Sequence, residues 1–229
     1  CLFADAVAKD YSVFDYDYTV YLFDRRNELP EKYTISEMAD DTIECFEKLE
    51  LHDIYLFGAS QGGMIAQIIA VKRPELIKKL AICSSSIRVD KSQFKPILEW
   101  IEAAKEKKGA ELYLSFGKSV YPANVFEQSK GLLKSAGESV TDEEFVRFVI
   151  LAEATEGFDI TDKNSELRCP VFAVGTDNDN VLGDNALNEL IDKYKHNENF
   201  IFYKYKNYGH ACYDTAPDFK QKLFDFFNA

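Results

Sequence analysis

A serine stands between small residues in the segment Gly58-Ala59-Ser60-Gln61-Gly62. The residues before this segment, Ile54 to Phe57, are typical of a buried strand, and the residues after it repeat apolar side chains at helical spacing. A serine in a sharp turn from strand to helix needs small neighbours, because the backbone there is strained and closely approached. Such a turn exposes the hydroxyl, so we predict that Ser60 is a nucleophile and disfavour a purely structural glycine turn.

A serine hydroxyl is a poor nucleophile at neutral pH, so it needs a base and a group that orients the base. We predict that His210 is the general base, because it follows the last predicted strand and a glycine and precedes a closing helix. The other histidines, His52 and His196, lie in polar runs and are interpreted as solvated loop residues. The backbone N–H of Gln61, in the first turn of the helix after Ser60, is predicted to stabilise an oxyanion.

Two aspartates, Asp177 and Asp179, follow a predicted strand that ends at Gly175. We predict that Asp179 orients His210, because it lies farther out on the loop and directly precedes a turn. Asp177 is the alternative. Either aspartate could instead cap the helix that starts near Asn185.

Short apolar or β-branched runs alternate with longer amphipathic stretches, which predicts an α/β fold with a mostly parallel sheet and flanking helices. The predicted strands are Thr19 to Asp24, Ile54 to Gly58, Lys79 to Ser84, Val171 to Gly175 and Phe200 to Tyr205. Capping boxes at Thr34 with Glu37 and at Thr141 with Glu144 predict two helix starts. The second of these helices is expected to bury Phe145, Phe148, Val149 and Ala152.

The segment from Ile87 to Leu167 has helical patterns without intervening strands. We predict an α/β core at 1–86 and 168–229 with a helical cap inserted at 87–167; the alternative is a set of extra helices packed far from any site. The aromatic residues of this segment are more often core than substrate contacts, although they also fit an apolar acyl or aryl pocket. They are Phe94, Trp100, Tyr113, Phe116, Tyr121 and Phe126.

The formal net charge is −12 over 229 residues, and the lysines are scattered among acidic residues. This composition disfavours binding to nucleic acid or to an anionic membrane, and weakly disfavours highly anionic substrates. The 5 cysteines have no close paired spacing, so neither a disulfide framework nor a zinc site is expected, and a reducing, cytoplasmic setting fits best. We expect no metal and no organic cofactor.

From about Thr19 to the C-terminus, the chain resembles the alpha/beta-hydrolase superfamily. Gly58 to Gly62 resembles the nucleophile elbow of that family, Cys169 to Asp179 its acid-bearing strand and loop, and Gly209-His210 its histidine loop. Val20 to Arg26 resembles the strand and Asp-x-Arg segment that precede the elbow. The resemblance implies the chain order serine, aspartate, histidine and hydrolysis of a small-molecule substrate.

Two departures from the family pattern matter. The acid loop is one residue longer, so Asn178 stands where the aspartate usually does. The His-Gly-rich segment that donates a second oxyanion N–H is absent, as are the strands before it, and Cys1 to Lys9 resembles the helix that would follow. We therefore expect a chain shortened at its N-terminus, with one oxyanion donor of two, a loss that typically costs about 100- to 1000-fold in rate.

The functional hypothesis is hydrolysis of an ester-like acyl bond by Ser60, His210 and Asp179 through an acyl-enzyme. Within enzymes, the alternatives are a carbon–carbon bond hydrolase or an acyltransferase with the same triad. Outside enzymes, the alternative is a receptor-like protein that binds a ligand in the hydrolase pocket with little turnover.

Overall fold

The fold is built on one parallel sheet. The computed structural model describes residues 4–162, 167–183 and 185–229. Its sheet has four parallel strands in the order β1-β2-β3-β4: β1 (Ile54–Ala59), β2 (Ile77–Cys83), β3 (Val171–Thr176) and β4 (Phe200–Tyr205). These are four of the predicted strands, with ends displaced by two residues at most. The α/β class with a parallel sheet is therefore confirmed.

Helices flank this sheet and fill the long connection between β2 and β3. In the described residues they are α1 (Ala4–Asp10), α2 (Ile35–Lys48), α3 (Gln61–Lys72), α4 (Lys91–Lys105), α5 (Gly109–Val120), α6 (Ala123–Glu138), α7 (Asp142–Glu153), α8 (Asn185–Tyr194), α9 (Cys212–Thr215) and α10 (Phe219–Asn228). Both predicted capping boxes form, at Thr34 before α2 and at Thr141 before α7. Within these described ranges, no helix is long and apolar enough to cross a membrane.

Apolar side chains cover both faces of the sheet, as a parallel sheet requires. On one face lies α3, whose residues from Gly63 to Ala70 are all buried. On the other face, α10 buries Phe219, Leu223, Phe226 and Phe227 against side chains of β2 and β3. Because α3 is buried over these residues, it holds the turn that precedes it in a fixed position.

Helices α4 to α7 connect β2 to β3 and match the predicted helical character of 87–167, of which 163–166 lie outside the described residues. In α7, only Phe145 is fully buried, whereas Phe148, Val149 and Ala152 are half-buried, so the predicted face is more exposed than expected. The six aromatic residues noted above divide into two sets. Phe94, Trp100 and Phe126 are buried, and Tyr113, Phe116 and Tyr121 are half-buried.

The strand predicted at Thr19 to Asp24 is wrong for the described structure. This segment is irregular, no described strand pairs with it, and Val20, Tyr21 and Leu22 are 53%, 48% and 60% exposed. Strand propensity becomes a strand only where a neighbour supplies hydrogen bonds and packing. The predicted N-terminal helix is present from Ala4, while positions 1–3 lie outside the described residues.

Candidate active site

Ser60 occupies a strained turn between β1 and α3. Its φ of 52° and ψ of −122° lie where residues with a side chain are rarely found. A Cβ on Gly58 would lie 2.3 Å from the Gly62 carbonyl oxygen, so only glycine fits there. A Cβ on Gly62 would meet open space, whereas one on Gly63 would lie 2.6 Å from Ser85 Cβ. A small residue is therefore required at Gly58 and at Gly63. At Gly62 a side chain would have room, and it is the backbone carbonyl of this residue that lies close to Gly58.

The three predicted catalytic residues lie together. His210 Nε2 is 2.9 Å from Ser60 Oγ, and His210 Nδ1 is 2.8 Å from Asp179 Oδ2. His210 is 2% exposed and Asp179 is 8% exposed. Because a carboxylate can only accept, Nδ1 carries the ring proton and Nε2 accepts from the Ser60 hydroxyl. This arrangement can move a proton from the serine to the histidine.

Asp179 is held in its ionised form. Burial by itself raises the pKa of this carboxyl, but the charge and hydrogen bond of His210 lower it, as do the backbone N–H groups of Leu182 and Val181. Both N–H groups donate to Oδ1 at 2.9 Å. The net effect is a pKa below the usual value for aspartate, so the carboxylate is charged at neutral pH and stabilises a protonated His210.

The two residues before Asp179 have a different role. Asp177 does not contact His210; its Oδ1 accepts from the backbone N–H of Asn207 at 3.0 Å. Asn178 Oδ1 accepts from the backbone N–H of Gly209 at 3.1 Å and from the Thr176 hydroxyl at 2.7 Å. Both residues therefore tie the acid loop to the histidine loop. Sequence reasoning missed this role, and the extra residue in the acid loop was the signal for it.

The helical connection reaches the site at two points. The backbone N–H of Ala211 donates to the Val120 carbonyl, at the end of α5, at 3.0 Å. Gly209 has a φ of 67°, and a Cβ there would lie 2.8 Å from that same carbonyl oxygen. The Gln61 side chain donates to the Leu151 carbonyl of α7 at 2.6 Å. The position of His210 thus depends on the connection as well as on the sheet.

Gln61 is the first residue of α3 and follows Ser60 directly. The N–H groups of a first helical turn have no acceptor within the helix, so that of Gln61 is available to an oxyanion on Ser60. His196 is exposed and the His52 side chain is 81% exposed, in agreement with their interpretation as loop residues. In the part of the chain that the structure describes, no group of three His, Cys, Asp or Glu side chains could hold a metal ion.

Comparison with known proteins identifies the family of this chain. The family model for serine aminopeptidase S33, an alpha/beta-hydrolase family, matches residues 12–213. The chain belongs to this hydrolase family. The chain shares its fold with a solved alpha/beta hydrolase from a Medee basin deep-sea metagenome library, with a TM-score of 0.79 and 20% identity. The match covers 88% of this chain and 74% of that one.

Two relatives of this hydrolase extend the comparison. RutD of Rhizobium rhizogenes, named as a carbamate hydrolase, is 30% identical over 178 residues, which are 76% of this chain and 67% of that protein. The (E)-2-((N-methylformamido)methylene)succinate hydrolase of Acinetobacter baylyi is 24% identical over 188 residues, which are 80% of this chain and 68% of that protein.

Proposed function

We propose that this hydrolase cleaves an ester-like acyl bond of a small molecule through a Ser60-His210-Asp179 triad and an acyl-enzyme. One observation carries the proposal: a continuous hydrogen-bonded path joins a strained, partly exposed serine to a buried histidine and an ionised carboxylate. This path supports a serine nucleophile, a histidine that takes its proton and a carboxylate that orients the histidine.

The steps follow from these contacts. Ser60 Oγ attacks the carbonyl carbon while His210 Nε2 takes the hydroxyl proton, and the Gln61 N–H stabilises the oxyanion. Collapse of this intermediate breaks the bond to the leaving group, which takes the proton from His210, and leaves Ser60 acylated. Water then gives a proton to His210 and attacks the acyl carbon, and Ser60 recovers its proton as the acid leaves.

A carbamate is the second candidate substrate, because RutD of R. rhizogenes is named as a carbamate hydrolase. The same triad can attack a carbamate carbonyl, whose nitrogen makes the carbon less electrophilic than that of an ester. Matched ethyl esters and ethyl carbamates would separate the two candidates by their kcat/KM values. A preference for the carbamate would contradict the ester assignment while keeping the triad.

The triad itself is tested by covalent labelling with a fluorophosphonate. Ser60→Ala is expected to abolish labelling and hydrolysis of p-nitrophenyl acyl esters. Ser135→Ala, an exposed serine on α6, is the matched control and is expected to behave as the parent protein. Undiminished labelling of the Ser60→Ala variant would show that another residue is the nucleophile.

A further inference from the structure

Strand β4 lies at an edge of the sheet, and its side chains are open to solvent. Among the strands that the structure describes, β4 pairs with β3 and has no neighbour on its other side. Ile201, Phe202 and Tyr203 are consecutive and are 49%, 54% and 39% exposed. The residues of β1, at the opposite edge, are half-buried or buried. The outer edge of β4 is therefore the more accessible edge of this sheet.

The backbone of β4 has donors and acceptors that face away from β3. The Asn199 carbonyl, directly before β4, accepts from the N–H of Val171 in β3 at 3.2 Å, and the Tyr205 carbonyl accepts from the residue after β3 at 3.1 Å. Backbone groups alternate sides along a strand, so every second residue from Asn199 faces β3, whereas Phe202 and Lys204 face outward. Such a row of outward N–H and C=O groups is a template for another strand.

Apolar side chains of β4 protrude on both faces of the sheet. Phe202 stacks on Phe200, with ring centroids 6.3 Å apart, and Phe200 in turn contacts Tyr194 of α8. Tyr203 points to the α10 face, where the Lys222 Nζ lies 4.3 Å from its ring centroid. A partner that packed on one face would leave the other exposed. A strand added at the edge has side chains on both faces, so it can cover Phe202 and Tyr203 together.

The two ends of β4 carry opposite charges. Glu198 lies just before the strand, whereas Lys204 and Lys206 lie at its end, and all three side chains are exposed. None of the three has an ion-pair partner within the described residues. In an antiparallel pair the start of one strand lies beside the end of the other, which brings Glu198 of one copy beside Lys206 of a second copy. A parallel pair of copies would place like charges together, which is unfavourable.

We propose that β4 is a dimerisation surface, at which two copies of this chain pair antiparallel about a two-fold axis at Phe202. This register places Phe202 opposite the partner's Phe202 and Ile201 opposite the partner's Tyr203, so every exposed apolar side chain gains a neighbour. The interface is self-complementary, as a two-fold dimer requires. The net charge of −12 on each copy opposes pairing only weakly, because salt screens exposed charges more than about 10 Å apart.

Sedimentation velocity tests the proposal. At concentrations on the order of 10 μM and above, the parent protein should sediment with twice the chain mass of 26.2 kDa. Phe202→Lys places like charges opposite each other at the axis and should raise the dissociation constant of the dimer about 10-fold or more. Phe202→Pro removes an outward N–H but no bond to β3, and should weaken the dimer similarly. Leu132→Lys is the matched control, because it changes an apolar residue of α6 that is 76% exposed, and should leave the constant unchanged.

Exchange of the end charges tests the orientation of the two strands. Glu198→Lys and Lys206→Glu should each raise the dissociation constant about 3- to 10-fold, and the double variant should restore most of the parental value. Hydrogen exchange at the amides of Phe202 and Lys204 should slow on dimerisation, because these donors then bond the partner.

Three results would overturn the proposal. The first is a parent protein that stays monomeric up to about 1 mM. The second is a dimer that both Phe202 variants leave intact, which would place the interface elsewhere. The third is a double charge variant as weak as the single ones, which would exclude the antiparallel pairing of β4.

Discussion

Gly209 joins the histidine loop to the end of α5, and its replacement by alanine should disable the site. The residue has a φ of 67°, and an added Cβ would lie 2.8 Å from the Val120 carbonyl oxygen and 3.1 Å from Pro122 N. Gly157 is the matched control, because it has a φ of 66° and a Cβ there would meet nothing within 4 Å. Comparing Gly209→Ala with Gly157→Ala therefore separates the free-energy cost of a left-handed backbone conformation from the cost of steric overlap with α5.

The magnitude follows from these distances. A left-handed conformation costs roughly 1–2 kcal/mol for a residue with a side chain, so both variants should lose about that much stability. At Gly209 the neighbouring atoms are backbone and cannot rotate away, which adds roughly 1–3 kcal/mol of overpacking. Relief requires a loop shift on the order of 0.5 Å, next to the 2.9 Å contact between His210 Nε2 and Ser60 Oγ. Such a displacement should reduce kcat about 10- to 100-fold.

Urea unfolding and the kcat for a p-nitrophenyl ester measure the two effects. Gly157→Ala should show the smaller loss of unfolding free energy with parental kcat, and Gly209→Ala should show both losses. Equal unfolding free energies together with equal kcat values for the two variants would refute the reasoning, because the contact with α5 would then have no consequence for His210.

Three further predictions concern the elbow and the acid loop. Gly58→Ala should lower the free energy of unfolding, measured in urea, by more than about 3 kcal/mol. Gly62→Ala should leave it unchanged or raise it by up to about 1 kcal/mol. Equal effects of the two substitutions would contradict the contacts described. Because the folded pKa of Asp179 is lowered, the stability it contributes is complete above about pH 4 and is lost as the pH falls through the folded value. The stability difference between the parent and Asp179→Asn should therefore shrink below pH 4 in unfolding measurements, and a difference constant down to pH 2 would argue against it. Asn178→Ala should lower kcat more than Asp177→Ala, because Asn178 bonds Gly209, directly before His210, whereas Asp177 bonds Asn207, three positions before it. The reverse order of kcat values would exclude this role.

Local patterns were enough to predict the elements that position Ser60 and His210. The elbow is defined within five residues, because its backbone conformation requires Gly58 and ends a strand. Capping boxes are equally local: Thr34 and Glu37 bond each other over three residues. These features are decided by neighbours in the chain, so they can be identified in the sequence without knowledge of the tertiary contacts.

The sequence favoured Asp179 over Asp177 as the partner of His210, but it did not exclude Asp177. Asp179 and Asp177 are both plausible by type and loop position. In the structure, Asp177 and Asn178 bond the histidine loop some thirty positions away, and this leaves Asp179 to face His210. The contact between Arg25 and Gln61 was not predicted for the same reason, since it spans 36 positions.

The segment from Thr19 to Asp24 shows where propensity alone fails. Its consecutive Val, Tyr, Leu and Phe side chains favour an extended chain. In the structure Phe23 packs against Phe46 of α2, with ring centroids 5.2 Å apart, but the segment forms no strand. A strand, however, forms only where a second segment lies beside it, because its backbone hydrogen bonds go to that neighbour. Helix α2 closes its own hydrogen bonds and forms where predicted. In this chain, therefore, helix starts and the elbow could be derived from single segments, whereas strand pairing and the contacts that select Asp179 depend on which segments meet.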